Sequence, residues 1–343
     1  MKRSIALLLA SVMLLSLTAC GSSKDTSAAP TAVPTVTSKP TEALKPTATP
    51  VPTEAVKPAE VDVSGVKVAA PNGAPAIALA AVAASNPDNY TFISAETITA
   101  EFSNATSDFI IAPINAGAKL YTMRKSTYKL AAVVSWGNLY FASQREGFKL
   151  EDMNGAKVVL FGENTINASI ALYVLKENGI VPSSIEYLAG AANTQSLLLT
   201  DAEAIVLTAE PALTAASAKN NKITGYSMNE LYKKATGNDG YTQAGLFVKP
   251  ETAKEKPEVV EAYLKLAEES TTKCTTDLQT VAEAAAQLGI LPNANVAMKA
   301  IPNCAIRYMS AVEAKSQIET TANIDLKQFG GAVPADDFYY GSK

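Results

Sequence analysis

The stretch KVVLFGENTINASIALYVLKENG, residues 157–179, reads as one complete strand–turn–helix unit. Its first five residues form a short β-branched, apolar run suited to a strand buried on both faces. Gly162, Glu163, Asn164 and Thr165 supply turn chemistry, with Asn164 or Thr165 placed to cap the next element. Residues 166–178 then carry apolar side chains at helical spacing, and Gly179 closes the run.

The same alternation extends outward in both directions. Upstream, strands are expected over 66–70, 90–94, 108–112, 130–136 and 139–143, with helices over 75–85, from 95, and over 114–124. Downstream, strands are expected over 185–188, 204–207 and 243–248, with helices over 193–199 and 210–219. After 248 the chain reads as mainly helical, most clearly over 257–270 and 276–289. Such alternation predicts an α/β fold whose βαβ units surround mostly parallel sheets. One set occupies 61–145 and a second 146–240, and the late elements return to the first. The expectation is therefore two βαβ lobes: lobe 1 from 61–145 plus 241–343, lobe 2 from 146–240. Two hinge crossings are expected near 143–150 and 238–243, with the C-terminal helices packing on lobe 1. Ligands of such sheets bind at the carboxyl ends of strands, where helix N-termini converge, so a cleft between the lobes is expected.

The N-terminus carries an address. Lys2 and Arg3 precede an apolar run over 5–17 that is too short to span a bilayer. Leu17-Thr18-Ala19-Cys20-Gly21 follows, and this order resembles a bacterial lipoprotein signal, residues 1–20, in which Cys20 carries the lipid. The alternative is an ordinary secretory signal; both place the chain outside the cytoplasmic membrane. Residues 21–60 are rich in Pro, Thr and Ala without an aromatic residue, the composition of a disordered linker. Stretched in a polyproline conformation it reaches roughly 120 Å. The expected location is thus the outer face of the bacterial cell membrane, held by the lipid anchor only.

Composition excludes whole classes of function. Lysine plus arginine number 29 against 33 acidic residues, with no basic run, which disfavours nucleic acid as a partner. There is no histidine, so Ser-His-Asp and Cys-His catalysis and histidine-bearing metal sites are removed. No metal and no cofactor are expected. Cys274 and Cys304 form an even pair in an oxidising compartment, readable either as a disulfide or as two buried free thiols.

Five motifs, in order, carry a resemblance: Val68-Ala69-Ala70-Pro71-Asn72-Gly73, "DFIIAP" from Asp108, "DMNGAKV" from Asp152, Ala209-Glu210-Pro211, and Gly245-Leu246-Phe247-Val248. Together they resemble the solute-binding proteins of ABC importers, with the type II periplasmic binding protein fold. Within that family the chain is similar to the branch that binds sulfonates, taurine, nitrate and thiamine-pyrimidine precursors. "DMNGAKV" departs from the usual pattern by Asn154 in place of lysine, and the arginines and histidines of some anion-binding members are missing. The resemblance implies a monomer that binds a small solute (a sulfonate, amine, pyrimidine or similar), delivers it to an ABC permease with its ATPase, and is no enzyme.

Three turns are expected at the cleft. Asn72, Gly73 and Ala74 follow the first strand; Pro113, Ile114 and Asn115 follow the third; Asn164, Thr165, Ile166 and Asn167 form the equivalent turn in lobe 2. Each offers free backbone N–H groups to a polar ligand, or plain helix capping. Trp136, the sole tryptophan, beside Gly137 and Asn138, offers a ring to stack on a ligand or to pack between lobes. Glu210 either pairs with a ligand amine or caps its own helix. The competing class is an extracytoplasmic lipid-anchored hydrolase, suggested by the S-x-x-K match at Ser126-Thr127-Tyr128-Lys129. That serine precedes an expected strand rather than starting a helix, and no K-T-G or S-D-N partner is present.

Overall fold

The computed structural model describes residues 61–342, so the signal, Cys20 and the linker 21–60 lie outside the described residues. The apolar run near 68 becomes β1 (Val68–Pro71), buried throughout. It turns into α1 (Ala74–Ala78), whose Pro75 lies at the helix start, where its missing N–H costs nothing. The expected helix over 75–85 is broken: Leu79 leaves helical geometry and α2 (Ala80–Ala83) follows. Next come β2 (Tyr90–Ile93), α3 (Glu101–Asn104), β3 (Phe109–Pro113), α4 (Ile114–Thr122), β4 (Lys129–Ser135) and β5 (Leu139–Ser143).

The opening stretch folds as read. β6 is Lys157–Phe161 and α5 is Ile166–Glu177, with Thr165 Oγ accepting from Ala168 N. Beyond it lie β7 (Ser184–Leu188), α6 (Ala191–Thr200), β8 (Ile205–Ala209), α7 (Ala212–Ser217), β9 (Thr224–Ser227), α8 (Met228–Thr236) and β10 (Ala244–Val248). The tail contains α9 (Pro250–Glu255), α10 (Pro257–Thr276), α11 (Leu278–Gln287), α12 (Ala294–Ala300), β11 (Ile306–Ser310) and α13 (Lys315–Ile324). β9, α8 and β11 were not anticipated from the sequence, and α9, α12 and α13 fall in the tail read only as mainly helical.

The strands form two sheets, ordered β11-β4-β10-β3-β1-β2 and β7-β6-β8-β5-β9. The sheets are mixed, and the reason lies in the crossings. β4 ends at Ser135 and β5 begins at Leu139 in the other sheet. A strand entered from a crossing starts at the end of the sheet where its neighbours finish, so it must run against them. β5 accordingly pairs antiparallel with β8 and β9, and β10, entered from the return crossing, pairs antiparallel with β3 and β4.

This corrects one expectation. The first crossing is at 136–138, not at 143–150, and β5 belongs to the second sheet rather than to lobe 1. Leu130 to Ser143 has the pattern of a hairpin about Gly137-Asn138, but its two strands pair with different partners. The return crossing lies at 237–243, next to the expected 238–243.

Strand periodicity distributes the core. On β3, Ile110 and Ala112 face one apolar cluster while Phe109 and Ile111 face another. The second of these lies under α1, α2 and α10–α12. The first runs without a break through Trp136, Tyr232 and Tyr241 into the second sheet's Leu160 and Leu207. The tail helices pack on the first sheet as expected, but α12 also touches α7, and α13 touches α5.

Candidate ligand-binding cleft

The two sheets repeat one plan, with β6, β7, β8 and β9 standing where β1, β2, β3 and β4 stand. The turns after β1 and β6 are therefore counterparts, as are those after β3 and β8. Leu139 pairs with Ala209, and Ala244 with both Ser135 and Pro113. Both sets of strand ends thus lie at the level of the crossings.

Asn72 is exposed, and its N–H donates to Ile93 O at 2.9 Å. Gly73 faces the other lobe: a Cβ there would lie 3.9 Å from Pro211 Cδ. Ala74 and Ile114 are buried in apolar clusters, while Pro113 and Asn115 are half-buried. Asn164 is exposed, and its carbonyl accepts from Gln328 Nε2 at 2.8 Å, so the tail reaches this turn. Thr165 donates to Gly162 O at 2.6 Å and caps α5. Ile166 is buried, and Asn167 is half-buried with its Oδ1 unpaired.

Trp136 is 1% exposed. Its Nε1 donates to Arg307 O at 3.1 Å, and the Arg307 guanidinium lies 4.0 Å above the ring. One face of the ring therefore already holds a cation. Asn138 and Glu210 are brought together: Glu210 N donates to Asn138 O at 2.9 Å, and Asn138 Nδ2 donates to Glu210 O at 2.5 Å.

The crossings are clamped by residues that sequence reasoning missed. Gln243 Oε1 accepts from Asn138 N at 3.1 Å and from Ser135 Oγ at 3.3 Å. Asn229 on α8 donates to Trp136 O at 2.9 Å and Gly137 O at 2.8 Å. Thr321 on α13 accepts from Thr242 N at 3.3 Å and lies 3.2 Å from Tyr232 Oη. Polar residues beside the glycine-bearing segments 136–138 and 237–243 were the available signal.

Glu210 is 3% exposed and accepts from Thr214 N and Thr214 Oγ at 3.1 and 2.9 Å. Burial pushes its carboxyl above the ordinary range, and hydrogen bonds from Thr214 and the Asn303 side chain offset this only in part. Tyr140 is pushed up to about 12, first by burial and then by the Glu210 charge. Both line a cavity of about 440 Å³ between α7 and the end of α12. Of the expected cleft residues, Glu210 alone borders this cavity.

Cys274 and Cys304 are both buried and free, so the disulfide reading is set aside for the thiol reading. Their sulfurs donate to carbonyls four residues earlier, Ser270 O and Ala300 O. Ser126 lies in the turn between α4 and β4, its Oγ accepting from Tyr128 N, and starts no helix.

The family model described as NMT1/THI5 like matches residues 129–299, from β4 through α12, which takes in both crossings. This chain carries an NMT1/THI5-like region. No curated protein matches the chain. Among solved structures, an ABC transporter protein from Parabacteroides distasonis superposes with a TM-score of 0.70 at 21% identity, over 82% of this chain and 100% of that one. The periplasmic aliphatic sulphonate binding protein of Escherichia coli gives 0.63 at 12% identity, covering 81% and 92%. The ligand-binding component of an ABC-type import system from Staphylococcus aureus gives 0.59 at 12%, covering 81% and 98%. The NMT1/THI5-like region is thus the central part of a type II periplasmic binding protein fold.

Proposed function

We propose that this protein is the extracytoplasmic solute-binding component of an ABC importer. It captures a small polar organic solute between its lobes and presents it to a permease with its ATPase. The observation that carries this reading is the pair of adjacent crossings, 136–138 and 237–243, joining two sheets that repeat one plan. Two short connections side by side make a hinge, and hinge closure around a ligand is what such an architecture performs. The sulphonate-binding and import-component relatives support the same role.

The cleft is assigned to the turns at Asn72–Ala74, Pro113–Asn115 and Asn164–Asn167, with Trp136, Asn138 and Glu210 at its hinge end. The lobes are then 61–136 with the segment from 244 onward, and 139–236. A monomer tethered through a lipid on Cys20 and the linker 21–60 stays near its permease, which raises its effective concentration there.

A thermal-shift screen with sulfonates, pyrimidines, amines and nitrate tests this. Saturation at one solute per chain with no product formed is expected; at a hundred times Kd the gain is about 2.7 kcal/mol. Turnover of any solute would favour the hydrolase instead. Replacing Asn72 and Thr165 by alanine together should abolish the stabilisation while the unliganded fold still melts cooperatively. Persisting stabilisation would place the site elsewhere.

A further inference from the structure

The tail meets lobe 2 at successive points along its course. Thr321 on α13 lies 3.2 Å from Tyr232 Oη on α8, and it also accepts from Thr242 N in the return crossing. Asp325 Oδ2 accepts from Ser169 Oγ, near the start of α5, at 2.7 Å. Gln328 Nε2 then donates to Asn164 O at 2.8 Å, in the turn assigned to the cleft.

The segment that makes the last two contacts is anchored on lobe 1. Leu326–Phe329 packs on α4, and Phe329 is fully buried. Asp325 is fixed to the same turn, accepting from Lys327 N at 3.2 Å, and Gly331 N closes it onto Leu326 O at 2.8 Å. The receiving turn has a defined shape of its own: Asn164 has φ +60°, a conformation that few residues besides glycine and asparagine visit routinely. Its carbonyl is thereby aimed outward, where Gln328 meets it. A rotation about the crossings displaces atoms in proportion to their distance from the axis. Thr321 is bonded to the crossing itself and stays with it, whereas the Asp325 and Gln328 contacts lie outside the crossings and open first.

We propose that the tail segment 325–329 is a latch: carried on α4 of lobe 1, it grips residues 164–169 of lobe 2 and holds the lobes closed. This rests on the solute-binding reading, which gives the closure its purpose, because the turn it grips is one of those assigned to the solute. Opening breaks the Asp325–Ser169 and Gln328–Asn164 bonds while the Thr321 contact persists. Removing both bonds shifts the equilibrium between closed and open forms roughly tenfold towards open.

Double electron–electron resonance on the full-length chain, with no solute added, tests it. Spin labels enter through Glu96→Cys and Ala192→Cys, both exposed, in a Cys20→Ser background; Cys274 and Cys304 are buried. Glu96 follows β2 and Ala192 lies at the start of α6 behind β7. These are edge strands of the two sheets, so the label separation reports the opening between the lobes. Ser169→Ala combined with Gln328→Ala is expected to raise the longer-distance population roughly tenfold over the labelled wild type. If that double variant loses its cooperative melting, Gln328→Glu decides the matter: it keeps the side-chain shape, sets a carboxylate against the Asn164 carbonyl, and is expected to open the lobes likewise. A distance distribution unchanged in the variants overturns the latch, and solute binding stands if the thermal-shift screen finds a solute. If the variants open while no solute of the screen binds, the latch stands and the solute-binding reading falls.

Discussion

Gly137 lies directly against the ring of Tyr241: a Cβ at position 137 would fall 2.4 Å from Tyr241 Cε1. The two crossings therefore touch at a point where a side chain has no room. Gly137 also has φ +86°, a conformation that side chains rarely adopt. Gly240 mirrors it, with φ +91° and a Cβ position 2.3 Å from Trp136 O. Gly137→Ala combines backbone strain with overpacking and is expected to cost on the order of 2–4 kcal/mol. Urea unfolding of the variant against the wild type checks this.

Thr321→Val removes the hydroxyl shared by Thr242 N, Thr242 Oγ and Tyr232 Oη while keeping the side-chain shape. It leaves a buried N–H without its acceptor, for an expected loss of about 1–3 kcal/mol. Faster hydrogen exchange at the Thr242 amide would identify the cause.

The tail ties the lobes together beyond the crossings. Asp325 Oδ2 accepts from Ser169 Oγ on α5 at 2.7 Å, and Asp325 also caps the turn Leu326–Phe329 that packs on α4. Asp325→Ala loses both bonds and is expected to destabilise by about 1–2 kcal/mol. Ser169→Ala, which loses only one, should cost less in the same denaturation experiment.

Glu210 sets a pH dependence. Its carboxyl is raised above 4.5 in the folded protein, so the folded state holds the proton more firmly than the unfolded chain does. Its contribution is fully present below the unfolded value and is lost as pH rises through the folded one. Melting temperature should therefore fall across the window beginning near 4.5 by more in the wild type than in Glu210→Gln. Parallel pH profiles would contradict burial as the cause of the raised carboxyl.

Cys274 is pushed up to about 12 and Cys304 well above the ordinary thiol range, both first by burial. Neither forms thiolate at pH 8, so a thiol reagent should label both peptides only after unfolding. A failure to label under denaturing conditions would reveal a bridge.

Where the signal was local, it was legible. Residues 157–179 form the expected strand and helix because a β-branched run, a threonine cap and helical spacing each act within a few residues. By contrast, 224–236 escaped: Thr224–Ser227 is a short edge strand without alternating burial, fixed only by pairing with β5. Trp136 drew notice as a free aromatic face, yet Arg307, 171 residues later, occupies that face.

From the sequence alone came the α/β class, the repeated βαβ plan and Glu210 as a residue with two readings. Backbone geometry, capping and periodicity encode these over short range. Tertiary structure decided which strands share a sheet, and so moved the crossing to 136–138. It likewise left Cys274 and Cys304 unbridged and placed Lys299 across a cavity from Glu210. Those outcomes depend on contacts between residues distant in the chain, which no local pattern specifies.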